Sequence, residues 1–244
     1  LDNDTVMLLN HKDAIEFMVN AVPSEGITVP VIVDLQAKLM KDLLKDSRDI
    51  GSIRRRVVNI DGSVYVPSNI PMLLEEKLAS VVDKSRQIRN PVEAAFFLWV
   101  NLAYLQPFAD GNKRTSRLCA NMPLMLYNCA PLSFLDVERS DYTTALLGVY
   151  EQRQVDAAVE LFEFIYRRSF QKYSVLRASM AAPDPLRARY RQTLNEIMQW
   201  VVMHRQPQQT ALAAVQVDPN DLPGLIDIVN TELNHLEVYN CARY

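Results

Sequence analysis

The sequence predicts a predominantly helical protein with one short β-hairpin, and three observations support this fold class. The 244-residue chain contains only 6 Gly residues, whereas Ala, Leu, Met, Gln and Arg, which form helices well, are abundant. Apolar residues recur at helical spacing along most of the chain. A single segment shows the alternating, β-branched pattern of strands, and it surrounds an Asp-Gly dipeptide that is typical of tight turns.

The periodicity predicts helices separated by breaks at Pro and Gly. They span approximately residues 4–21, 31–45, 71–87, 91–105, 112–127, 141–152, 156–173, a segment from Pro185 to His204, and 218–239. The helix at 91–105 is apolar on most sides, so we expect it to be the central buried helix. The hairpin is predicted at residues 55–67, with Asp61-Gly62 at its turn and Pro67 at its end.

Composition limits the classes of function. The net charge is −3 and the pI is about 5.7, without the basic excess of a general nucleic-acid binder. After Gln206 the tail has five acidic residues and one basic residue, which argues against direct DNA binding by this part. The three Cys are widely spaced, which favours buried free thiols and a reducing, cytoplasmic setting. No apolar run is long enough to predict a membrane span.

The loop at residues 106–111 carries the clearest chemistry. A helix begins directly after it, and a helix N-terminus offers free N–H groups and a partial positive charge to phosphate. Gly111 allows the backbone to approach a ligand closely, and the Asp110 carboxylate suits Mg²⁺. Arg114 and Arg117 lie on one helix face, where both guanidinium groups can bind phosphate oxygens. Together these groups predict a triphosphate site.

Residues 106–117 resemble the signature loop of the Fic family. That signature is His-x-Phe-x-(Asp or Glu)-Gly-Asn, then a small residue or Lys, then Arg-x-x-Arg, and the chain matches every position except the first. The segment 55–67 resembles the target-binding flap of the family. The resemblance covers about residues 5–175, so we expect a Fic-type helical domain at 1–175 and a C-terminal helical extension at 176–244.

The resemblance implies a protein adenylyltransferase, which moves AMP from Mg-ATP to a Ser, Thr or Tyr hydroxyl of a target protein. ATP and Mg²⁺ are therefore the implied cofactors, and a protein with an accessible hydroxyl is the implied partner. The implied roles are metal binding by Asp110, nucleotide binding by Gly111, Asn112, Lys113, Arg114 and Arg117, loop anchoring by Phe108, and target binding by strand addition at Val64, Tyr65 and Val66. Homodimerisation through helices is compatible with the sequence.

Gln106 occupies the catalytic position where the family has its His, the base that takes the proton from the attacking hydroxyl. A carboxamide does not change protonation near neutral pH, so Gln106 cannot act as this base. General-base assistance contributes roughly 10²–10⁴ in rate. We therefore predict that the chain binds nucleotide and transfers AMP slowly. A natural loss of the base and an inactivating replacement both explain the Gln.

Two alternatives remain at this stage. Many family members have Gly where this chain has Lys113, and Lys resembles the short Doc-type toxins, which transfer a phosphoryl group; the flap, the chain length and Arg117 favour AMP transfer. A catalytically dead, nucleotide-binding regulator is the other alternative. The inhibitory motif of many relatives is found neither ahead of Asn10 nor in the tail, and we expect such a segment to precede Leu1.

Overall fold

The computed structural model describes residues 2–135, 137–179, 184–234 and 236. The residues fall into two units, Leu1–Leu176 and Arg177–Tyr244. The helices of the first unit are α1 (Asn3–Glu25), α2 (Val29–Met40), α3 (Pro71–Gln87), α4 (Pro91–Leu105), α5 (Asn112–Cys119), α6 (Asn121–Leu126), α7 (Arg139–Leu147) and α8 (Asp156–Ser179), with a 3₁₀ turn at Ser47–Asp49 and a π-helical turn at Gly148–Gln152. Helix α8 extends past the division at Leu176. The helical fold class predicted from the sequence is confirmed.

Local sequence signals explain where several helices begin. The Asp2 side chain accepts the Thr5 N–H at 2.7 Å and caps α1. Thr28 caps α2 in the same way, through the Val31 N–H. Helix α4 has Asn90 at its N-cap and Pro91 at its first position, where the missing N–H is not needed.

Helix α4 is the centre of the first unit, as its apolar sequence predicts. Leu98 and Leu102 face one buried cluster, which they share with α1, α2 and α5. Trp99 and Ala103 face a second cluster, which includes α7 and α8. Because both faces of α4 are buried, its C-terminal end is fixed firmly, and this end leads directly into the loop at 106–111.

Three predicted helices are interrupted in the structure. The helix predicted at 112–127 divides into α5 and α6 at Ala120, and Pro123, which lacks an N–H, cannot continue the ladder of α5. The helix predicted at 141–152 ends in the π-helical turn. The helix predicted between Pro185 and His204 divides at Tyr190.

The second unit is a small helical group with a core of its own. Its helices are α9 (Pro185–Arg189), α10 (Arg191–Val202), α11 (Gln208–Ala213) and α12 (Leu222–Asn234). Ile197, Met198, Ala211, Leu225 and Val229 form its buried centre. Helix α11 begins at Gln208, directly after Pro207. Positions 235 and 237–239 of the last predicted helix lie outside the described residues.

The segment at 55–67, called the flap below, differs from the predicted hairpin. Its turn is present, because Gly62 has φ +78° and the Ser63 N–H donates to the Ile60 carbonyl at 3.0 Å. The two arms do not pair as β-strands anywhere in the described residues. Side chains hold them instead: Arg54 bonds to carbonyls at the base of both arms, and the Glu151 carboxylate accepts the Val64 N–H at 3.1 Å.

None of the helices in the described part of the chain is both long and apolar enough to cross a lipid bilayer.

Candidate nucleotide site

The loop at 106–111 reverses the chain between α4 and α5 through two left-handed backbone positions. Gln106 has φ +50° and ends α4, with its N–H donating to the Leu102 carbonyl at 3.2 Å. Gly111 has φ +79° and begins α5. Glutamine tolerates this region at a modest energetic cost, whereas glycine has no steric penalty there. These two positions direct the N-terminus of α5 back toward the flap.

The side chains of Phe108 and Asn112 fix the conformation of the loop from its buried side. The Phe108 side chain is 1% exposed and belongs to the core cluster beside α2, so its predicted role as the loop anchor agrees with its position. The Asn112 amide closes a ring with the same residue: its Oδ1 accepts the Phe108 N–H at 2.9 Å, and its Nδ2 donates to the Phe108 carbonyl at 2.8 Å. The side chain of Asn112 therefore shapes the loop, and its backbone N–H is left for a ligand.

Gly111 is required by packing as well as by its backbone angle. A Cβ atom at this position would lie 2.7 Å from Sδ and 2.9 Å from Cγ of Met40, which is itself buried. Gln36 supports the same turn from α2, because its Nε2 donates to the Asp110 carbonyl at 3.1 Å and its Oε1 accepts the Gly51 N–H at 2.7 Å. The backbone at the start of α5 is thus fixed from beneath by α2.

The N-terminus of α5 opens on a cavity of about 220 Å³. The first hydrogen bond within α5 runs from the Thr115 N–H to the Gly111 carbonyl at 2.8 Å, so the N–H groups of residues 112–114 precede the helix ladder. The cavity is lined by residues 58–61 of the flap, Gln106 and residues 109–114. The structure therefore brings Gln106, Asp110, Gly111, Asn112, Lys113 and Arg114 around one space.

Arg114 presents an unsatisfied guanidinium nitrogen in this site. Its Nη2 donates to the weak acceptor Met40 Sδ at 3.1 Å, while its Nη1 is buried with no hydrogen-bond partner among the described residues. Burial lowers the pKa of Arg114 from its ordinary value, and Asp110 opposes this effect. A buried cationic donor without an acceptor is costly in the free protein, and an anionic ligand removes that cost.

Arg117 lies one turn further along α5 and faces a different environment. Its guanidinium group stacks over the Tyr142 ring, 5.6 Å from the ring centre. His11 of α1 stands in the same cavity wall as Arg117, outside the cavity at the α5 N-terminus. Burial, followed by the positive charges of Arg117 and Arg114, lowers the pKa of His11, so this ring is neutral at pH 7 and adds no further positive charge.

Asp110 fits the predicted metal role through its exposure and its free oxygen. One carboxylate oxygen accepts the Gly111 N–H at 2.6 Å, and the side chain is exposed at the mouth of the cavity. No cluster of three or more metal-binding side chains occurs among the residues that the structure describes. Mg²⁺ commonly binds one or two carboxylates together with substrate phosphates and water, so a single Asp fits a nucleotide-dependent ion.

Gln106 is buried at the inner end of the cavity. Its Nε2 donates to the Ala103 carbonyl at 2.6 Å. The Tyr150 hydroxyl is close enough for this amide to influence its pKa, but the two groups form no hydrogen bond, and the hydroxyl has no partner in the described structure. Burial dominates and raises the pKa of Tyr150, so the phenol stays protonated near neutral pH and cannot act as a general base.

The flap stands over the site on aromatic and polar contacts. The Tyr65 ring stacks on Tyr104, with ring centres 4.6 Å apart, and on Tyr150, with centres 5.9 Å apart. Val64 and Val66, which flank Tyr65, are 86% and 63% exposed. The predicted flap residues therefore divide: Tyr65 holds the flap against α4, and the two valines point to solvent.

Sequence reasoning missed Gln36, Met40 and Arg54, whose side chains support the loop. Each is far from the loop in the chain, and none belongs to the signature. For Arg54 one signal was available in the sequence: it is a charged residue directly before a β-branched segment, and burying such a residue is costly. The polar Gln36 in the apolar stripe of α2 had a similar signal.

A larger cavity of about 750 Å³ lies behind the site, between α1, α6 and the segment 131–137. Arg117 and His11 stand in its wall, and most of its remaining lining is apolar. It contains neither the α5 N-terminus nor Asp110. The smaller cavity differs in having the α5 N-terminus, Lys113 and Arg114 in its wall, which are groups that can donate to an anion.

Comparison with known proteins identifies the family that this part of the chain matches. Residues 26–124, which include the loop and the flap, match the family model described as the Fic/DOC family. Residues 26–124 therefore carry a Fic/DOC family domain. A Fic protein adenylyltransferase of Nematostella vectensis is 31% identical over 123 residues, which are 49% of this chain and 28% of that protein. The chain thus spans less than a third of the length of this relative.

Solved Fic structures show the same fold. Fic-1 of C. elegans (residues 134–508) superposes with a TM-score of 0.60 at 23% identity, over 72% of this chain and 52% of that one. The BepC protein of Bartonella tribocorum, solved with bound AMPPNP, superposes with a TM-score of 0.51 at 16% identity, over 67% of this chain and 87% of that one. At these identities the likeness extends to the fold of the domain.

We expect Gly111→Ala to lower the free energy of unfolding by about 2–4 kcal/mol, because left-handed strain of about 1–2 kcal/mol adds to overpacking against Met40. Gly62→Ala is a matched control, since Gly62 has φ +78° but open space at its Cβ position. It should show the strain alone. Chemical denaturation measures both. Equal losses for the two variants would mean that Met40 does not constrain Gly111.

Proposed function

We propose that this chain is a Fic-type protein adenylyltransferase whose transfer step is slow because Gln106 cannot act as a base. The observation that supports the proposal best is the buried Nη1 of Arg114, which has no partner in the described structure and belongs to a residue lining the cavity at the α5 N-terminus. This combination fits a ligand with several negative charges. The Fic protein of Nematostella vectensis is named a protein adenylyltransferase, which supports AMP transfer.

The phosphates of ATP are the ligand that these groups suit. Backbone N–H groups at the start of α5 would hold the α-phosphate, and Arg114 would bind a distal phosphate. Arg117, which the resemblance also assigns to the phosphates, stacks on Tyr142 outside this cavity wall and would have to leave that ring to reach them. Lys113, also in the cavity wall, adds positive charge. Asp110 would hold Mg²⁺, which neutralises part of the phosphate charge when it is bound. The AMPPNP bound to BepC supports a nucleotide at this fold.

Most of the transfer chemistry lies in positioning and charge stabilisation. The α5 N-terminus places fixed dipoles where negative charge grows on the phosphate, and these dipoles need no reorganisation during the reaction. Gln106 lies in the wall of the same cavity, where the attacking hydroxyl would be. Its amide can hydrogen-bond that hydroxyl but cannot accept its proton. The step therefore loses roughly 10²–10⁴ in rate and keeps the other contributions.

A target protein would bind along the flap. The two flap arms do not pair with each other in the described structure, and the side chains of Val64 and Val66 are exposed. The Val64 N–H is bound by the Glu151 carboxylate, so an added strand would replace that contact. An extended segment can pair with such a backbone and place its side chains against the valines. This arrangement would carry a Ser, Thr or Tyr hydroxyl of the target over the cavity.

A nucleotide-binding regulator is the second candidate, and Gln106 itself favours it. The Gln106 Nε2 is already bonded to the Ala103 carbonyl, so the residue is satisfied as a structural group. In this case nucleotide would bind without transfer, and its occupancy would be the signal. The two experiments below separate these candidates.

We expect Arg114→Ala to weaken binding of Mg-ATP by about 10–100-fold, because a charge-assisted contact to phosphate contributes roughly 1.5–3 kcal/mol. Isothermal titration calorimetry measures the affinities. Arg89→Ala is the control, since Arg89 is an exposed arginine between α3 and α4, outside the cavity. Equal affinities for the unaltered chain and Arg114→Ala would contradict the phosphate role of Arg114.

We expect Gln106→His to raise AMP transfer by roughly 10²-fold or more, since it supplies the missing base to an otherwise complete site. Mass spectrometry follows the AMP increment on the protein itself and on lysate proteins. Asp110→Ala in the same background should remove the gain. If the unaltered chain already transfers AMP as fast as Gln106→His, position 106 is not the base. If both bind ATP and neither transfers, the regulator is the better account.

A further inference from the structure

Arg54 is a fully buried arginine that lies between the flap and the signature loop. Its side chain is 1% exposed and is among the largest buried side chains of the described structure. Its described hydrogen-bond partners are carbonyl oxygens rather than a carboxylate. They are Gln106 O, which accepts from Nε at 2.6 Å, Arg56 O, which accepts from Nη1 at 2.8 Å, and Ser68 O, which accepts from Nη2.

Burial of the Arg54 guanidinium group is costly, and its hydrogen bonds to carbonyl oxygens offset this cost. Burial lowers the pKa of Arg54, and the main opposing effect comes from the neighbouring Tyr65. A buried charge without a counter-ion is retained only where its donors are satisfied. Three well-placed carbonyls satisfy the guanidinium group here. An apolar residue would fill the space at lower cost, so the position has a requirement beyond packing.

The partners of Arg54 belong to two different parts of the site. Arg56 O and Ser68 O lie at the base of the two flap arms, which have no strand pairing of their own in the described structure. Gln106 O belongs to the left-handed residue that begins the loop, and the Arg54 backbone N–H also donates to Pro107 O at 3.0 Å. The rigid, planar guanidinium group of Arg54 thus sets the distance between the flap and position 106.

We propose that Arg54 is a positioning residue that couples the flap to position 106, and so fixes how a target segment on the flap meets the nucleotide. This inference rests on the proposed adenylyl transfer for its functional meaning. Arg54 is not one of the residues that line the phosphate cavity, and none of its described hydrogen bonds goes to α5. Loss of the Arg54 side chain should therefore disturb the alignment of the target segment with the nucleotide and leave the affinity for the nucleotide unchanged.

Hydrogen–deuterium exchange tests the coupling without any need for transfer. We expect Arg54→Met to increase exchange by about fivefold or more both in the flap and in the loop at 104–111, because one connection between them is lost. Arg56→Met is the matched control: this exposed arginine lies in the same arm and pairs with Asp49 at 2.6 Å. It should leave exchange at 104–111 unchanged. The buried segment 94–103 is the internal reference for global stability.

Three results would overturn the coupling. One is faster exchange in the flap alone, with 104–111 unchanged in Arg54→Met. Another is an equal effect of Arg56→Met on both segments. The third is a uniform increase that includes 94–103 in both Arg54→Met and the milder Arg54→Lys, because Arg54 would then hold the core as a whole. If only Arg54→Met loosens 94–103, the Arg54→Lys pattern decides by the same criteria.

Transfer kinetics then test the functional meaning in the Gln106→His background. We expect Arg54→Lys to lower the rate of AMP incorporation at saturating ATP by about 10-fold or more, since small misplacements of reacting groups are costly. The Kd for Mg-ATP should change by less than about twofold, because Lys keeps the charge without the fork. Parallel losses of affinity and rate would overturn a positioning role. If Gln106→His itself transfers nothing, the proposed function fails, and the exchange data still decide the coupling.

Discussion

The site depends on one tight reversal of the backbone, in which α4 must end and α5 must begin within a few residues. Gln106 and Gly111 make this reversal with positive φ angles. A strained backbone is tolerated where the surrounding structure fixes it. Here the Phe108 side chain is held in the core, and the Asn112 amide binds both the N–H and the carbonyl of Phe108. The direction of the α5 N-terminus, and with it the phosphate chemistry, follows from this arrangement.

Side-chain contacts hold the flap in place, whereas a β-ladder holds the arms of an ordinary hairpin. Arg54 holds the base, the Tyr65 ring packs against Tyr104, and Glu151 accepts hydrogen bonds from Ser63 and Val64 near the tip. Glu151 belongs to the π-helical turn at Gly148–Gln152, and such turns often occur at functional sites. A flap held in this way is positioned over the cavity without a β-ladder between its arms in the described structure.

The helices and the loop chemistry could be predicted because their signals are local. Apolar spacing located α4, and the Asp-Gly-Asn sequence located the start of α5 and most of the residues that line the cavity there. The supports of the loop could not be predicted, because Gln36, Met40 and Arg54 act across long chain separations. The predicted strand pairing of the flap is not seen in the described residues, where the contacts of Arg54 and Glu151 hold the arms; β-branched alternation gives only a tendency toward strands.

The left-handed position at 106 has an evolutionary consequence. Its backbone bonds run from the N–H to Leu102 O and from Arg54 to the carbonyl, so they do not depend on which side chain is present. Histidine tolerates left-handed angles better than most residues. Codons for Gln and His differ only in their third base. A single base change therefore converts Gln106 to His without altering the backbone bonds that hold this position.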